Sequence, residues 1–195
     1  MGREAGSRTG SGAIWETARL SASLLVLMVA SYYLVVAFSN VTNPTNPQGS
    51  NWPFVQGVLS GEGLPEGHGF EWRFVDAVWL QGLGYVLIIL AETLTGSLLA
   101  FAGYRGIREY RDPVRWSRAQ RETYLGGTLG LALFLLGFIV IGGNWFLMYL
   151  NARFNALTPA SQNTLVTLGM LIFVTLVLIG SEVSDARRNE GGRID

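Results

Sequence analysis

AVWLQGLGYVLIILAETLTGSLLAFAGY, residues 77–104, is an apolar stretch with one charged residue, Glu92, near its middle. As a helix rising about 1.5 Å per residue it would be about 42 Å long, more than a hydrocarbon core of ~30 Å requires. We therefore predict a membrane-spanning helix that tilts or protrudes. A carboxylate at this depth costs about 2.5–3.5 kcal/mol on insertion scales. Glu92 is therefore expected to face protein or water, to be protonated, or to have a partner.

The composition indicates that lipid is the solvent for much of the chain. Of 195 residues, the length of one domain, 49% are hydrophobic and only 14% are charged, whereas soluble domains carry about 25% charged residues. The net charge is zero, so nothing points to a nucleic acid partner. With no cysteine and one histidine, His68, the chain has no parts for disulfides, thiolate sites or a multi-histidine metal site. We predict no cofactor.

Three further apolar stretches predict an all-α fold, an integral membrane four-helix bundle with antiparallel helices. Residues 1–17 are polar and rich in glycine and serine, which predicts a disordered tail, and 184–195 form a second polar tail. The domain between them is predicted to occupy 18–183. The predicted spans are about 18–38, 77–104, 124–150 and 163–181.

The longest loop, residues 41–76, opens with two Asn-Pro pairs, which favour turns. The segment 51–59, NWPFVQGVL, then predicts a short interfacial helix with Asn51 as its N-cap and Pro53 in its first turn. This helix is expected either to lie on the membrane surface or to plug the outer end of the bundle.

The distribution of arginines predicts the orientation. Loop 105–123 holds six, and each terminal segment holds three, whereas 41–76 and 151–162 hold one each. The positive-inside rule then places both termini and the six-arginine loop in the cytoplasm of a bacterial inner membrane. Besides this topology signal, which we favour, the loop has a second interpretation as a surface for anionic lipid headgroups. Its arginines are Arg105, Arg108, Arg111, Arg115, Arg118 and Arg121.

Small residues define two helix faces. Gly96 and Ala100 lie on the side of the second span that carries Glu92, and a glycine stripe runs along the third span as far as Asn144. Such faces pack closely within a bundle, against a second copy or against another membrane protein. Near Asp112-Pro113, where the third helix should begin, Val114, Trp116 and Ala119 are expected to touch lipid headgroups. The stripe comprises Gly126, Gly130 and Gly137.

Four segments resemble a known family, bacterial predicted small integral membrane proteins of unknown function. The resemblance covers nearly the whole chain between the two tails. It implies a four-span inner-membrane protein and brings no established activity, ligand or catalytic residue. The segments are VVAFSNVTNP at 35–44, NWPFVQGVLS at 51–60, ETLTG at 92–96 and GFIVIGGNWF at 137–146.

Glu92 is the main functional candidate. Burial disfavours the charged form of a carboxyl group, so this side chain could carry a proton or bind a cation. The alternative, which we favour at this point, is a structural protonated acid that forms a hydrogen bond to a neighbouring helix. No second charged residue lies at a similar depth in the other spans, so a complete proton relay is not supported.

A second candidate is a polar pocket on the outer side. The alternative, again the one we favour, is ordinary turn and capping chemistry. The pocket would involve Asn40, Asn43, Asn46, Asn51, His68 and Asn144, and the further candidate residues are Trp52 and Trp145.

These observations leave three functions, and an enzyme is the least favoured because paired acids, cysteine and a second histidine are missing. The preferred hypothesis is a structural or accessory component of a larger membrane assembly, docking through its glycine faces. The alternative is a transporter or channel component that uses Glu92 for proton or cation binding. A sizeable water-filled cavity reaching Glu92 from one side would favour the alternative, and a dry bundle would count against it.

Overall fold

The apolar stretches fold into long helices that run side by side. The computed structural model describes residues 4–45 and 51–191, with the side chains of 12–45, 51–184 and 186. Within these residues all regular structure is helical. In chain order the elements are α1, Glu4–Thr42; α2, Trp52–Ser60; a 3-10 helix, Glu71–Arg73; α3, Val78–Glu109; α4, Pro113–Leu131, continued directly by a π-helix, Ala132–Trp145; a second 3-10 helix, Met148–Leu150; and α5, Leu157–Gly191.

Four helical stretches of the described chain are long and apolar enough to cross a membrane, with mean hydropathies from 1.9 to 2.3. Together with the short helix α2 they confirm the predicted all-α membrane architecture. Helix α1 begins inside the predicted N-terminal tail, and α5 continues into the predicted C-terminal tail. The four stretches are Gly12–Thr42, Val78–Glu109, Pro113–Trp145 and Leu157–Ser184.

The long helices form a ring. Both α1 and α4 pack against α3 and α5, so the order around the bundle is α1, α3, α4, α5. Residues 110–112 alone join α3 to α4, and so short a connection makes the two helices antiparallel. We call this end of the bundle the arginine end. The opposite end, formed by the described residues of 43–77 and by 146–156, is the cap end.

Glycines on α3 let α1 approach closely. A Cβ atom added at Gly96 would lie 2.7 Å from Cγ of Leu34 and 3.1 Å from its backbone nitrogen, and Gly103 meets Leu27 in the same way. The α4 glycines are also used within the chain, since Gly130 faces Tyr33. At Gly96, Gly103, Gly126 and Gly130, the predicted close-packing faces therefore contact helices of the same chain.

Helix α4 enters the bundle at its first turn. The Asp112 side chain accepts hydrogen bonds from two backbone N–H groups, as predicted for an N-cap. The prediction that Trp116 and Ala119 touch lipid headgroups is wrong, because both are fully buried. The indole nitrogen of Trp116 donates to the Ser23 hydroxyl at 3.0 Å, which satisfies its one polar group inside the protein.

The short helix α2 closes the cap end. Phe54, Val55 and Val58 are buried against α3 and the segment that follows the π-helix. The backbone of α2 is tied down as well, since the N–H of Val75 donates to the carbonyl of Leu59 at 2.8 Å. These contacts favour the plug over the surface placement.

Replacing Gly96 or Gly103 with valine should destabilise the protein by about 1–3 kcal/mol, because overpacking forces α1 and α3 apart. For a chain of this size the melting temperature should fall by roughly 2–12 °C. Thermal unfolding in detergent, followed by circular dichroism, measures the change. The control is G82V on the same helix, where an added Cβ atom meets nothing within 4 Å. An equal loss in this control would contradict the close-packing account.

Candidate functional site

Glu92 lies inside the bundle, where its side chain is 3% exposed. Its Oε2 atom accepts a hydrogen bond from Nδ2 of Asn40 on α1 at 2.8 Å. Of the alternatives expected for this acid, the structure shows a hydrogen-bond partner on a neighbouring helix. Because an amide N–H donates to either form of a carboxyl group, the bond persists whether or not Glu92 is ionised.

Asn40 is held by α3 at a second point. The Tyr85 hydroxyl donates to the backbone carbonyl of Asn40 at 2.8 Å. Tyr85 and Glu92 are seven residues apart and therefore lie on the same face of α3. One face of α3 thus binds both the side chain and the main chain of a single residue on α1.

Asn51 forms hydrogen bonds to the C-terminal end of α1. Its Nδ2 atom donates to the carbonyl of Asn43 at 2.6 Å and to that of Ser39 at 3.4 Å. Although Asn51 occupies the N-cap position of α2, its side chain makes no capping bond, so the predicted capping role is wrong. The Ser39 carbonyl also accepts from the N–H of Asn43 at 2.9 Å. The Asn43 carbonyl, just past the end of α1, is one of the groups that lack a helical partner, and the Asn51 amide serves it instead.

A cavity of about 160 Å³ reaches Glu92. A cavity needs only about 10–15 Å³ by this measure to hold one water molecule, so this one has room for several or for a small ligand. Residues from α1, α2, α3, the π-helix and α5 form its walls. The polar lining side chains are Tyr32, Asn40, Asn51, Tyr85, Glu92 and Asn163.

The cavity combines one carboxyl group with aromatic walls. Phe54, Phe134 and Phe138 line it together with the two tyrosines. On α5, Nδ2 of Asn163 donates to the Tyr32 hydroxyl at 2.7 Å. Aromatic faces attract cations through their quadrupoles, and a carboxylate supplies the opposite charge, so the chemistry of this lining suits a small cation.

On α3, the helix face that follows Glu92 toward the arginine end is buried. Thr95, Leu99 and Ala102, which follow on α3, are fully buried. Among the described side chains the other buried charge is Arg19, whose Nε atom donates to the carbonyl of Tyr110 at the arginine end. Arg19 is about 30 Å along α1 from Asn40, so the two buried charges do not form a relay.

The other predicted site residues lie elsewhere. Nδ1 of His68 accepts from the N–H of Phe70 at 3.1 Å, and the exposed Asn144 donates to the carbonyl of Ile139. Trp145 is half-exposed, with its ring 5.7 Å from that of Trp72. These side chains therefore have local partners outside the cavity.

Asn40, Asn51 and Glu92 are the predicted candidates that the structure brings together. Trp52 joins them indirectly through its ring contact with Tyr85, at 5.7 Å between centroids. Asn43 contributes a backbone carbonyl, and Asn46 lies outside the described residues.

Two lining residues, Tyr32 and Asn163, do not stand out in the sequence. Tyr33, next to Tyr32, is buried in the bundle and bonds to Thr167 at 3.0 Å, whereas Tyr32 is 42% exposed. In the sequence, Tyr32 and Asn163 are each a polar side chain near the end of a span. This pattern predicts a shared site only once α1 and α5 are known to be neighbours.

Four apolar helices around a small polar cavity define a small polytopic membrane protein. The family model "Predicted small integral membrane protein (DUF2165)" matches residues 18–177, and the chain belongs to this family. This match confirms the resemblance found in the sequence. The family description names no enzymatic activity. No curated protein and no solved structure matches the chain.

If Glu92 serves as a hydrogen-bond acceptor for Asn40, E92Q should leave the fold intact, because the glutamine carbonyl can accept the same bond. E92L should destabilise the protein by about 1–3 kcal/mol, because it leaves the buried Asn40 amide unsatisfied. Thermal unfolding of both variants in detergent measures the difference.

The double variant N40L/E92L is the control, because removing both partners with apolar side chains is expected to recover part of that loss. If E92Q fails to fold whereas E92D folds, the fold needs an ionised carboxylate instead.

Proposed function

We propose that the protein is a transporter or channel component in which Glu92 binds a proton or a small cation. The observation that carries this proposal is the cavity of about 160 Å³ that Glu92 lines together with polar and aromatic side chains.

The second carboxyl oxygen of Glu92 is available to a ligand. Oε2 accepts from Asn40, but among the described residues no donor is bonded to Oε1. A charged carboxylate with a spare oxygen in a low-dielectric site strongly favours a positive partner. A proton on Oε1 or a small cation in the cavity would supply it.

The ligand is expected to arrive from the cap end. Asn51, just before α2, and Pro159, near the start of α5, line the cavity there. Tyr32 also lines the cavity and is partly exposed on the outside of the bundle. Beyond Glu92 the packed layer of α3 closes the route. Passage across the membrane therefore requires a conformational change or a partner, and this is why we propose a component rather than a complete transporter.

The glycine contacts give less support to the other hypothesis, an accessory protein that docks through its glycine faces. Gly96, Gly103, Gly126 and Gly130 all meet side chains of the same chain. Among the described glycines of the membrane helices, Gly82 and Gly169 have open space around them, and Gly137 meets only the Ala132 carbonyl of its own helix. These three are left for an external partner.

The proposed location is a bacterial inner membrane with both termini in the cytoplasm, which rests on the arginine distribution. In this orientation the cap end and the mouth of the cavity face away from the cytoplasm.

Cation binding at Glu92 should raise the melting temperature of the protein but not that of E92Q. At a concentration one hundred times the dissociation constant, a ligand specific for the folded state adds about 2.7 kcal/mol. Sodium, potassium, ammonium, methylammonium and choline chlorides are the probes, and E71Q, which changes an exposed acid at the cap end, is the matched control.

The proton is tested separately with dicyclohexylcarbodiimide, an apolar reagent that modifies protonated carboxyl groups, with the labelled residue located by mass spectrometry. Labelling at Glu92 that is independent of the cations supports a proton site, and labelling that a cation slows supports a cation site. The proposal fails if Glu92 stays unlabelled and every cation shifts the wild-type protein and E92Q equally.

A further inference from the structure

A groove of about 940 Å³ opens between α3 and α4 at the arginine end, well away from Glu92. The groove is charged near the connection between α3 and α4 and apolar farther along α4. The charged lining residues are Arg105, Arg118, Arg121 and Glu122, and the remaining ones are Ser117, Tyr124, Leu125, Thr128, Leu129 and Ala132.

We infer that this groove is a binding site for one anionic phospholipid, with the phosphodiester at Arg118 and Arg121 and an acyl chain along the α4 side of the groove. The inference is independent of the role proposed for Glu92.

The arginines in the groove differ in their partners. Arg105 approaches Glu122 at 3.4 Å and Glu109 at 3.9 Å, so acids already balance its charge. Arg118 and Arg121 are exposed, and neither is paired with an acid in the described part of the chain. They are three residues apart and therefore neighbours on one face of α4. Two adjacent guanidinium groups without acidic partners suit the oxygens of a phosphate.

The apolar part of the groove continues the same helical stripe. Leu125, Leu129 and Ala132 follow Arg118 and Arg121 at helical spacing, and Leu125 is 54% exposed. From Arg118 to Ala132 the stripe is about 21 Å long, enough to pass from the headgroup layer through half of a ~30 Å hydrocarbon core.

Size and polarity together select a lipid. A free phosphate ion would use the two arginines but leave the apolar part empty, whereas a phospholipid fills both. With Arg105 balanced by Glu122 and Glu109, the positive charges of Arg118 and Arg121 remain, so the lining favours a headgroup with net negative charge over a zwitterionic one.

The test measures lipid binding to the full-length protein in detergent by native mass spectrometry. The probes are phosphatidylglycerol, phosphatidylethanolamine and phosphatidylcholine, with inorganic phosphate as competitor. R118Q/R121Q should weaken phosphatidylglycerol binding by about fivefold per charge removed. The control R111Q/R115Q removes two arginines of the same loop that lie outside the groove, where Arg111 lies over the Tyr110 ring and Arg115 pairs with Asp112, and it should bind as wild type.

A photoactivatable phosphatidylglycerol adds a measurement that needs no variant. It should crosslink the wild-type protein within residues 118–132. The inference is overturned if both double variants lose binding equally, if the zwitterionic lipids bind as tightly as phosphatidylglycerol, if inorganic phosphate displaces the lipid, or if the crosslinks fall elsewhere.

Discussion

The pairing of α1 with α3 is the contact on which the rest of the structure depends. Glycines at two levels of α3 remove the side chains that would hold the helices apart, and close packing of this kind drives helix association in lipid, where the hydrophobic effect gives little help. At the same interface Asn40 meets both Glu92 and Tyr85. The packing therefore brings the polar groups together, and the polar groups fix the register of the packing.

This arrangement explains how an acid is tolerated at membrane depth. Glu92 is shielded from lipid by α1 and is hydrogen-bonded to a neutral amide rather than to a basic residue. A neutral partner leaves the carboxyl group uncompensated when it ionises, and the proposed affinity for a positive ligand rests on this. An arginine in place of Asn40 would have satisfied the charge and removed that affinity.

Much of the fold follows from the sequence, because apolar length and the arginine loop mark the spans, and Asn51-Trp52-Pro53 marks the short helix. Glu92 also stands out, since a charge in an apolar run is costly wherever the helix packs. Its partner does not stand out, because Asn40 sits among several outer asparagines and only the relative register of α1 and α3 selects it. The prediction for Trp116 is wrong for a similar reason. The Asp112-Pro113 pair indicates that a helix begins there, but not that the Trp116 side chain in its first turn reaches Ser23 of α1 inside the bundle.

The packed layer beyond the cavity also determines where an electrical potential would act. Water in the cavity would bring the potential of the cap side close to Glu92, so most of the transmembrane voltage would drop across the buried residues Thr95, Leu99 and Ala102. One charge crossing the full field exchanges about 2.3 kcal/mol per 100 mV. A cation that stops at Glu92 crosses little of that field, so the voltage would act mainly on any later step through the layer rather than on occupancy of the site.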